Sequence, residues 1–266
     1  MDGWLKTLCN QYGVFETGVC RWGGGSVLVA LFPYYAGEHE AANISRYARS
    51  PDYHRTVRKY LEPIACAINR RLPQAEATVL VDSHPLPERE LAVQAGLGFV
   101  GKNGCLIHPR YGSYVFIGLI RMSALLEADA PCTATCQGCN RCVAACPARV
   151  LEGIFDPDRC LSALTQKRED FTPEEEEIYL KGNLIWGCDR CQEVCPHNRD
   201  LPQSPFPEFK EKMIVRLTAT DLEGLSDRSF RRTYGDYAFA WRGIKPLKRN
   251  LAKEDAREDA ERSRHC

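Results

Sequence analysis

The sequence predicts an α/β fold built from three successive segments, and three observations predict it. Short apolar runs alternate with amphipathic helical patterns up to about residue 130. Cysteines then crowd together up to about residue 200, and a charged, helical stretch follows three closely spaced prolines. Because strands that alternate with helices bury their apolar faces against one another, the first segment is expected to form an α/β layered domain.

Each element of the first segment follows from the spacing of its apolar residues. A short apolar run entered through a triple glycine predicts a buried strand, and apolar residues at helical spacing predict an amphipathic helix. A strand is also expected immediately before Asp82. The predicted strands are 26–34, 77–81 and 114–120, and the predicted helices are 51–71 and 88–95.

The bulk composition is that of an ordinary globular protein, with 44% hydrophobic and 26% charged residues. The formal net charge is +0, so bulk charge does not draw the chain to nucleic acid, and any RNA contact requires a local basic patch. No apolar run approaches the ~20 residues that span a bilayer, and the N-terminus lacks the pattern of a signal peptide. We therefore expect a cytoplasmic protein without a membrane partner.

Eight of the 14 cysteines lie between Cys136 and Cys195. The first group follows the pattern Cys136-x2-Cys139-x2-Cys142-x3-Cys146, and a proline comes next. Three thiolates at successive two-residue gaps wrap one side of a [4Fe–4S] cubane, and the fourth faces away toward a neighbouring cluster. This spacing predicts two adjacent clusters.

The second group, Cys188-x2-Cys191-x3-Cys195 followed by proline, lacks one cysteine, and Cys160 can supply it. The expected ligands of one cluster are Cys136, Cys139, Cys142 and Cys195, and those of the other are Cys146, Cys160, Cys188 and Cys191. Paired structural zinc sites are the alternative, because CxxC pairs also bind zinc, but they leave cysteines unused. The remaining cysteines are scattered at 9, 20, 66, 105, 132 and 266. Cys66 lies on the apolar face of its predicted helix and is expected in the protein core.

Two clusters side by side conduct single electrons and imply an acceptor. A bare ferredoxin needs only ~60 residues, whereas about 130 residues of α/β pattern precede the clusters here. The excess favours an enzyme with a further redox centre or a substrate pocket.

Several segments together resemble the epoxyqueuosine reductase family. They are 81–118 (beginning VDSHPLPERELAVQAG), 44–54 (ISRYARSPDYH), 160–165 (CLSALT) and 187–198 (GCDRCQEVCPHN), and the similarity runs from about 26 to 250. The resemblance implies reduction of epoxyqueuosine to queuosine in tRNA with cobalamin, as cob(II)alamin, and two [4Fe–4S] clusters. It implies a corrinoid-binding α/β domain at 1–130, a ferredoxin-like double-cluster domain at 131–200 and a helical C-terminal extension at 201–266.

The resemblance also implies roles for individual residues. Asp82 matches the acid of the family's Val-Asp-(Ser/Thr)-x-Pro motif, and burial beside the cofactor would raise its pKa so that it holds a proton. Without the resemblance, Asp82 is equally typical of a turn or a helix cap. Cobalamin contacts are implied for Arg46, Asp82, Gly101, Asn103, Ser162, Cys188 and Asp189, and tRNA contacts for Arg89 and Arg168. These arginines are also typical of surface ion pairs, and His84 and His108 receive no role.

Relative to longer family members, the chain is expected to have a shorter start and to lack C-terminal helical repeats. Alternatives therefore stay open: a related corrinoid and Fe–S reductase of a small molecule, a ferredoxin-type electron-transfer protein, and a zinc-stabilised RNA-binding protein. The expected partners are a tRNA with a queuosine precursor at its anticodon and an external low-potential electron donor. The protein is expected to be a monomer.

Overall fold

The computed structural model describes residues 3–264, with side-chain surroundings up to residue 257, so Cys266 lies outside the described residues. The chain divides into two compact units. The sheet unit comprises residues 1–36, 53–139 and 196–207, and the helical unit comprises 37–52, 140–195 and 208–266. Each unit is assembled from three separate stretches of the chain. The domain boundaries predicted near residues 130 and 200 divide the sequence into successive segments, and they remain a prediction.

The sheet unit confirms the α/β class and every element predicted in the first segment. Its strands are β1 (Thr17–Trp22), β2 (Gly25–Pro33), β3 (Thr78–Leu80), β4 (Phe99–Val100), β5 (Leu106–Ile107) and β6 (Val115–Met122). Its helices are α1 (Gly3–Gln11), α2 (Tyr53–Arg71) and α3 (Glu88–Gln94), and short 3-10 turns lie at Pro73–Ala75 and Pro196–Asn198.

The main sheet has the strand order β1-β2-β6-β3, and each neighbouring pair is antiparallel. All nine residues of β2 are buried. A tight turn at Gly23 and Gly24, with φ of 57° and 81°, joins β2 to β1, the edge strand that the sequence analysis missed. Glycine suits this turn because it adopts positive φ without a Cβ penalty.

Helices cover both faces of this sheet. On one face, Leu91 of α3 joins an apolar cluster with Val29 and Leu119. On the other face, α2 lies so close to β6 that a Cβ at Gly118 would come within 2.5 Å of Val57 and 2.7 Å of Leu61. Double coverage explains why β2 reads as a continuous apolar run instead of an alternating one.

The predicted core position of Cys66 is wrong, because the side chain is exposed. The buried stripe of α2 contains Val57, Leu61, Ile64 and Ile68. Cys66 follows Ile64 by two residues, which turns it about 200° around the helix axis, away from that stripe.

The helical unit contains α4 (Arg141–Ala145), α5 (Leu161–Gln166), α6 (Pro173–Leu180), α7 (Arg190–Glu193), α8 (Ala219–Leu222), α9 (Asp227–Tyr234) and α10 (Lys245–Arg264). Short 3-10 turns occur at Arg46–Ala48, Pro157–Arg159 and Ala238–Ala240, and another at Pro207–Phe209 crosses the boundary between the units. The fully buried Trp186 lies in an apolar core with Ile44, Phe230 and Leu247. No described helix is long and apolar enough to cross a membrane.

Substitution of Gly118 by valine is expected to lower the free energy of unfolding by about 1–3 kcal/mol, because extra methyl groups have no room between α2 and β6. Thermal unfolding followed by circular dichroism measures the change. The matched control is Gly153→Val, where an added Cβ meets nothing within 4 Å. Equal melting temperatures for the two variants would contradict this account of the packing.

Candidate active site and cluster cysteines

Three predicted cluster ligands pack against one apolar cluster of the helical unit. Cys146, Cys160 and Cys188 line its edge. The cluster itself consists of Ala148, Val150, Leu161, Leu164, Ile178 and Tyr179. The thiols of Cys191 and Cys146 also act electrostatically on Cys160, and those of Cys191 and Cys160 act on Cys188. Three of the four thiols expected to bind one cluster therefore share the edge of one apolar cluster, and Cys191 acts electrostatically on two of them.

Two of these thiols, those of Cys160 and Cys188, have raised pKa values. Burial raises the pKa of Cys188 to about 12, and neighbouring thiols push in the same direction. Burial likewise raises the pKa of Cys160, while backbone N–H groups of Ser162 and Ala163 point at its sulfur and favour the thiolate. Iron supplies the positive charge that such a group lacks, because a coordinating thiol is deprotonated by the metal. The donor set thus fits an iron–sulfur cluster.

The other four cysteines have separate surroundings. Cys142 is buried on α4, which packs against α7, and Cys195 follows α7. Cys136 and Cys139 lie in the irregular stretch before α4. Among the side chains described, those of residues 3–257, no group of three or more His, Cys, Asp or Glu residues is arranged to hold a metal ion. A cubane makes a different demand, because its four thiolates bind four different iron atoms.

Asp82 lies in a turn just beyond the edge strand β3, at a φ of 55°. Its backbone N–H donates to Oε1 of Glu88 at 3.1 Å, and its Oδ2 lies 3.4 Å from Nε2 of His54. The Asp82 side chain is 59% exposed. A bound molecule would therefore be needed to remove water from its carboxylate. The sheet is antiparallel, so Asp82 does not lie in the crevice that forms at the carboxyl ends of parallel strands. The local turn after β3 directs its carboxylate outward.

His54 is a site residue to which the sequence analysis gave no role. It lies at the start of α2, and its ring centre is 4.2 Å from that of Tyr53. Tyr53 in turn stacks on Phe116 of β6, with ring centres 4.0 Å apart and planes within 4°. This aromatic stack holds the imidazole beside the Asp82 carboxylate. The adjacent Tyr-His pair and the nearby aromatic strand were visible in the sequence, but their contact was not.

The Gly101–Lys102–Asn103 segment forms the turn between β4 and β5. The Gly101 N–H donates to the carbonyl of Cys105, and the Asn103 side chain accepts from the Cys105 N–H. A Cβ at Gly101 would lie 2.6 Å from the Ile107 side chain and 2.7 Å from the Asn103 side chain, so a larger residue would require both side chains to move. Arg89 donates from Nη1 to the Gly104 carbonyl, which ties this arginine to the same turn.

Asp189 is buried inside the helical unit and has a structural task. It accepts hydrogen bonds from Oγ of Ser45 at 2.5 Å and from the backbone N–H of Arg46 at 2.9 Å. Burial raises the pKa of Asp189, although these hydrogen bonds and the guanidinium of Arg49 oppose that shift. The Arg46 side chain is engaged with Glu38 at 2.6 Å.

Ser162 and His39 are two further polar residues of the helical unit. Ser162 presents its carbonyl to the hydroxyl of Thr165 and to the side-chain amide of Gln166. His39 buries its Nε2 atom without a hydrogen-bond partner in the described part of the chain. A buried polar atom of this kind costs about 1–3 kcal/mol, so a bound polar ligand would stabilise it.

Arg168 lines a surface cleft of about 670 Å³ together with Trp241 and Arg242. Trp241 is 56% exposed, its Nε1 donates to Gln166, and the Arg242 guanidinium lies 3.7 Å from the centre of its ring. An exposed tryptophan beside arginines suits a stacked base and neighbouring phosphates. The sequence analysis identified Arg168 but gave no role to Trp241 or Arg242, because their proximity arises only in the folded unit.

Two family models match the chain. Residues 22–83 match "Epoxyqueuosine reductase QueG, DUF1730", and residues 135–198 match "4Fe-4S double cluster binding domain". The second match supports two [4Fe–4S] clusters and covers all eight predicted ligand cysteines.

Curated relatives and solved structures agree with these matches. Epoxyqueuosine reductase of Staphylococcus aureus is 37% identical over 77% of this chain and 54% of its own length. That of Synechococcus sp. (strain CC9605) is 35% identical over 86% of this chain and 74% of its own length. The crystal structure of epoxyqueuosine reductase with an epoxyqueuosine-modified tRNA-Tyr stem loop is similar, with a TM-score of 0.84 at 25% identity, covering 94% of this chain and 79% of that one.

A Bacillus subtilis epoxyqueuosine reductase structure, described with its catalytic loop swung out of the active site, has a TM-score of 0.76 at 29% identity. It covers 86% of this chain and 63% of that one. The chain spans about half the length of the first curated relatives that it matches. From its identity to the Synechococcus enzyme over most of both proteins, we conclude that the chain belongs to the epoxyqueuosine reductase family.

Proposed function

We propose that this protein is an oxidoreductase that converts epoxyqueuosine to queuosine in tRNA, with two [4Fe–4S] clusters and cobalamin. The observation that carries the proposal is the combination of a partly buried group of cysteine thiols, Cys146, Cys160, Cys188 and Cys191, with an exposed carboxylate, Asp82, 3.4 Å from His54. Family membership supports the same activity, and a relative has been crystallised with the modified stem loop.

We assign the cluster ligands as the spacing predicts them. Cys146, Cys160, Cys188 and Cys191 hold one cluster, and the shared apolar surroundings of Cys146, Cys160 and Cys188 support this set. Cys136, Cys139, Cys142 and Cys195 hold the other, which rests on the motif. An external low-potential donor, which the chain does not identify, supplies electrons to these clusters.

Cobalamin would be bound by the residues that the family resemblance implies: Arg46, Asp82, Gly101, Asn103, Ser162, Cys188 and Asp189. Two features of the chain fit such a group. Gly101 adds no side chain to its turn, and the buried Nε2 of His39 lacks a hydrogen-bond partner within the described residues. When bound, cobalamin supplies the cobalt centre for the two-electron reduction of the epoxide.

The chain's own contribution to the chemistry is a proton. Loss of the epoxide oxygen as water consumes two electrons and two protons and leaves a carbon–carbon double bond. Asp82 is placed to give one proton to that oxygen, because its carboxylate is exposed and fixed by a turn. His54, at 3.4 Å and 35% exposed, is placed to return a proton from solvent to Asp82.

The tRNA would contact both units through local groups, since the net charge is +0. We assign Arg89 and Arg168 to tRNA, and add Trp241 and Arg242 because they line the cleft with Arg168. Arginine suits phosphates and base edges, and an exposed indole suits stacking. A tRNA substrate also implies a cytoplasmic protein, and we propose that it acts as a monomer.

Anaerobically reconstituted protein with cobalamin and a strong reductant is expected to convert epoxyqueuosine tRNA, as measured by nucleoside mass spectrometry. Asp82→Asn should lower kcat by about 100-fold or more, because the amide cannot donate the proton, while the iron content stays unchanged. The control Glu62→Gln removes an exposed carboxylate of α2 and should retain activity. Unchanged tRNA with cobalamin-loaded wild type would refute the activity, and an active Asp82→Asn variant would refute the acid.

Replacement of Cys160 by alanine is expected to remove one cluster, because only three of its four expected ligands would remain. Iron should fall from about eight to about four atoms per chain, with a matching loss of absorbance and of the reduced-cluster electron paramagnetic resonance signal. Cys66→Ala, which removes an exposed thiol of α2, should keep the full iron content. Full iron content in Cys160→Ala would show that the ligand set is wrong.

Trp241→Ala is expected to weaken tRNA binding about tenfold, because one base–indole stack is worth about 1–3 kcal/mol. Fluorescence anisotropy with a labelled anticodon stem loop at fixed salt measures the dissociation constant. The control is Trp22→Ala, which removes another partly exposed indole from the sheet unit. Equal affinities for both variants would remove Trp241 from the tRNA surface.

A further inference from the structure

We propose that Glu88 and His84 are positioning residues that hold the Asp82 turn in its proton-donating orientation. This inference deepens the proposed function and rests on it. His84 occupies the unspecified position of the Val-Asp-(Ser/Thr)-x-Pro motif, and the motif assigns it no role. The structure supplies one through hydrogen bonds.

The backbone at Asp82 needs support. Its φ of 55° lies in the left-handed region. This conformation is unfavourable for any residue that has a Cβ, so it persists only where surrounding contacts enforce it. Within the turn itself, the Ser83 N–H donates to the Val81 carbonyl at 2.8 Å, and the His84 N–H donates to the Asp82 carbonyl at 2.7 Å. These short-range bonds curl the chain but do not anchor it to the sheet unit.

Glu88 provides the anchor. One oxygen, Oε1, accepts both the Asp82 backbone N–H at 3.1 Å and Nε2 of His84 at 2.9 Å. Glu88 is the first residue of α3, and Leu91 of the same helix is buried against the sheet. The Glu88 carboxylate therefore connects the catalytic turn to a helix that cannot move without disturbing the core.

His84 is locked in one tautomer by its own contacts. Its Nδ1 accepts the Leu86 backbone N–H at 3.1 Å, so Nε2 carries the proton and donates it to Glu88. The His84 side chain is only 5% exposed and that of Glu88 22%, whereas that of Asp82 is 59% exposed. Water is thus largely excluded from His84 and Glu88 but reaches the Asp82 carboxylate that they position.

The burial of Glu88 is consistent with this task. Desolvation raises the pKa of Glu88, while His84 and the Asp82 N–H oppose the shift. An acidic residue in the first turn of a helix usually faces solvent, as the exposed Glu90 of α3 does. Glu88 instead points back to the turn that precedes its helix.

The first test measures hydrogen exchange of the Asp82 amide in the reconstituted holoprotein, which requires no turnover. Glu88→Ala should speed exchange of a peptide containing Asp82 about tenfold, because the amide loses its acceptor. Glu88→Gln should keep slow exchange, since the amide Oε1 can accept both hydrogen bonds. Glu90→Ala, which removes an exposed carboxylate from the same helix, should match wild type. Unchanged exchange in Glu88→Ala would overturn the proposal.

The second test separates positioning from simple stability. Glu88→Ala should lower kcat for epoxyqueuosine tRNA about 10- to 100-fold through misplacement of Asp82, with KM within about twofold, and Glu88→Gln should restore most of kcat. His84→Leu, which keeps Glu88 but removes the donor, should lower kcat in the same direction and serves if Glu88→Ala fails to fold. Faster exchange without a change in kcat would also overturn the positioning role. An inactive wild type would refute the proposed function, whereas the exchange comparison would still report whether Glu88 holds the turn.

Discussion

The group of partly buried thiols formed by Cys146, Cys160, Cys188 and Cys191 is the constraint on which the helical unit depends. Burial and mutual proximity raise the pKa values of Cys160 and Cys188, so the group is poorly stable as thiolates without a positive charge among them. The fold supplies what a metal requires: an apolar backing and backbone N–H groups aimed at sulfur. An iron–sulfur cluster converts this unfavourable arrangement into a stable one, because metal binding is coupled to folding.

The sheet unit holds the Asp82 carboxylate in place while leaving it exposed to solvent. Helices α2 and α3 cover opposite faces of the sheet, and each contributes one side chain to the turn after β3. His54 from α2 faces the carboxylate of Asp82, and Glu88 from α3 holds its backbone. Because both helices are anchored by buried apolar residues, the orientation of one exposed carboxylate is set by the core.

The proposed recognition of tRNA depends on local groups of the chain. Equal numbers of acidic and basic residues give no overall attraction to phosphate. Trp241 and Arg242 beside Arg168 form an exposed aromatic and cationic group in the helical unit, while Arg89 is tied to the turn that contains Gly101 in the sheet unit.

The sequence by itself determined the cluster cysteines as a group, the α/β class and the main buried elements, because spacing and periodicity are local properties. It also pointed to Asp82 through a motif. Tertiary structure alone decided that the sheet is antiparallel, that Cys66 is exposed, that Asp189 is buried under Ser45 and Arg46, and that His54 and Glu88 meet Asp82. Each of these depends on segments far apart in the chain, or on which face of a helix meets the core, and helical or strand periodicity does not specify such contacts.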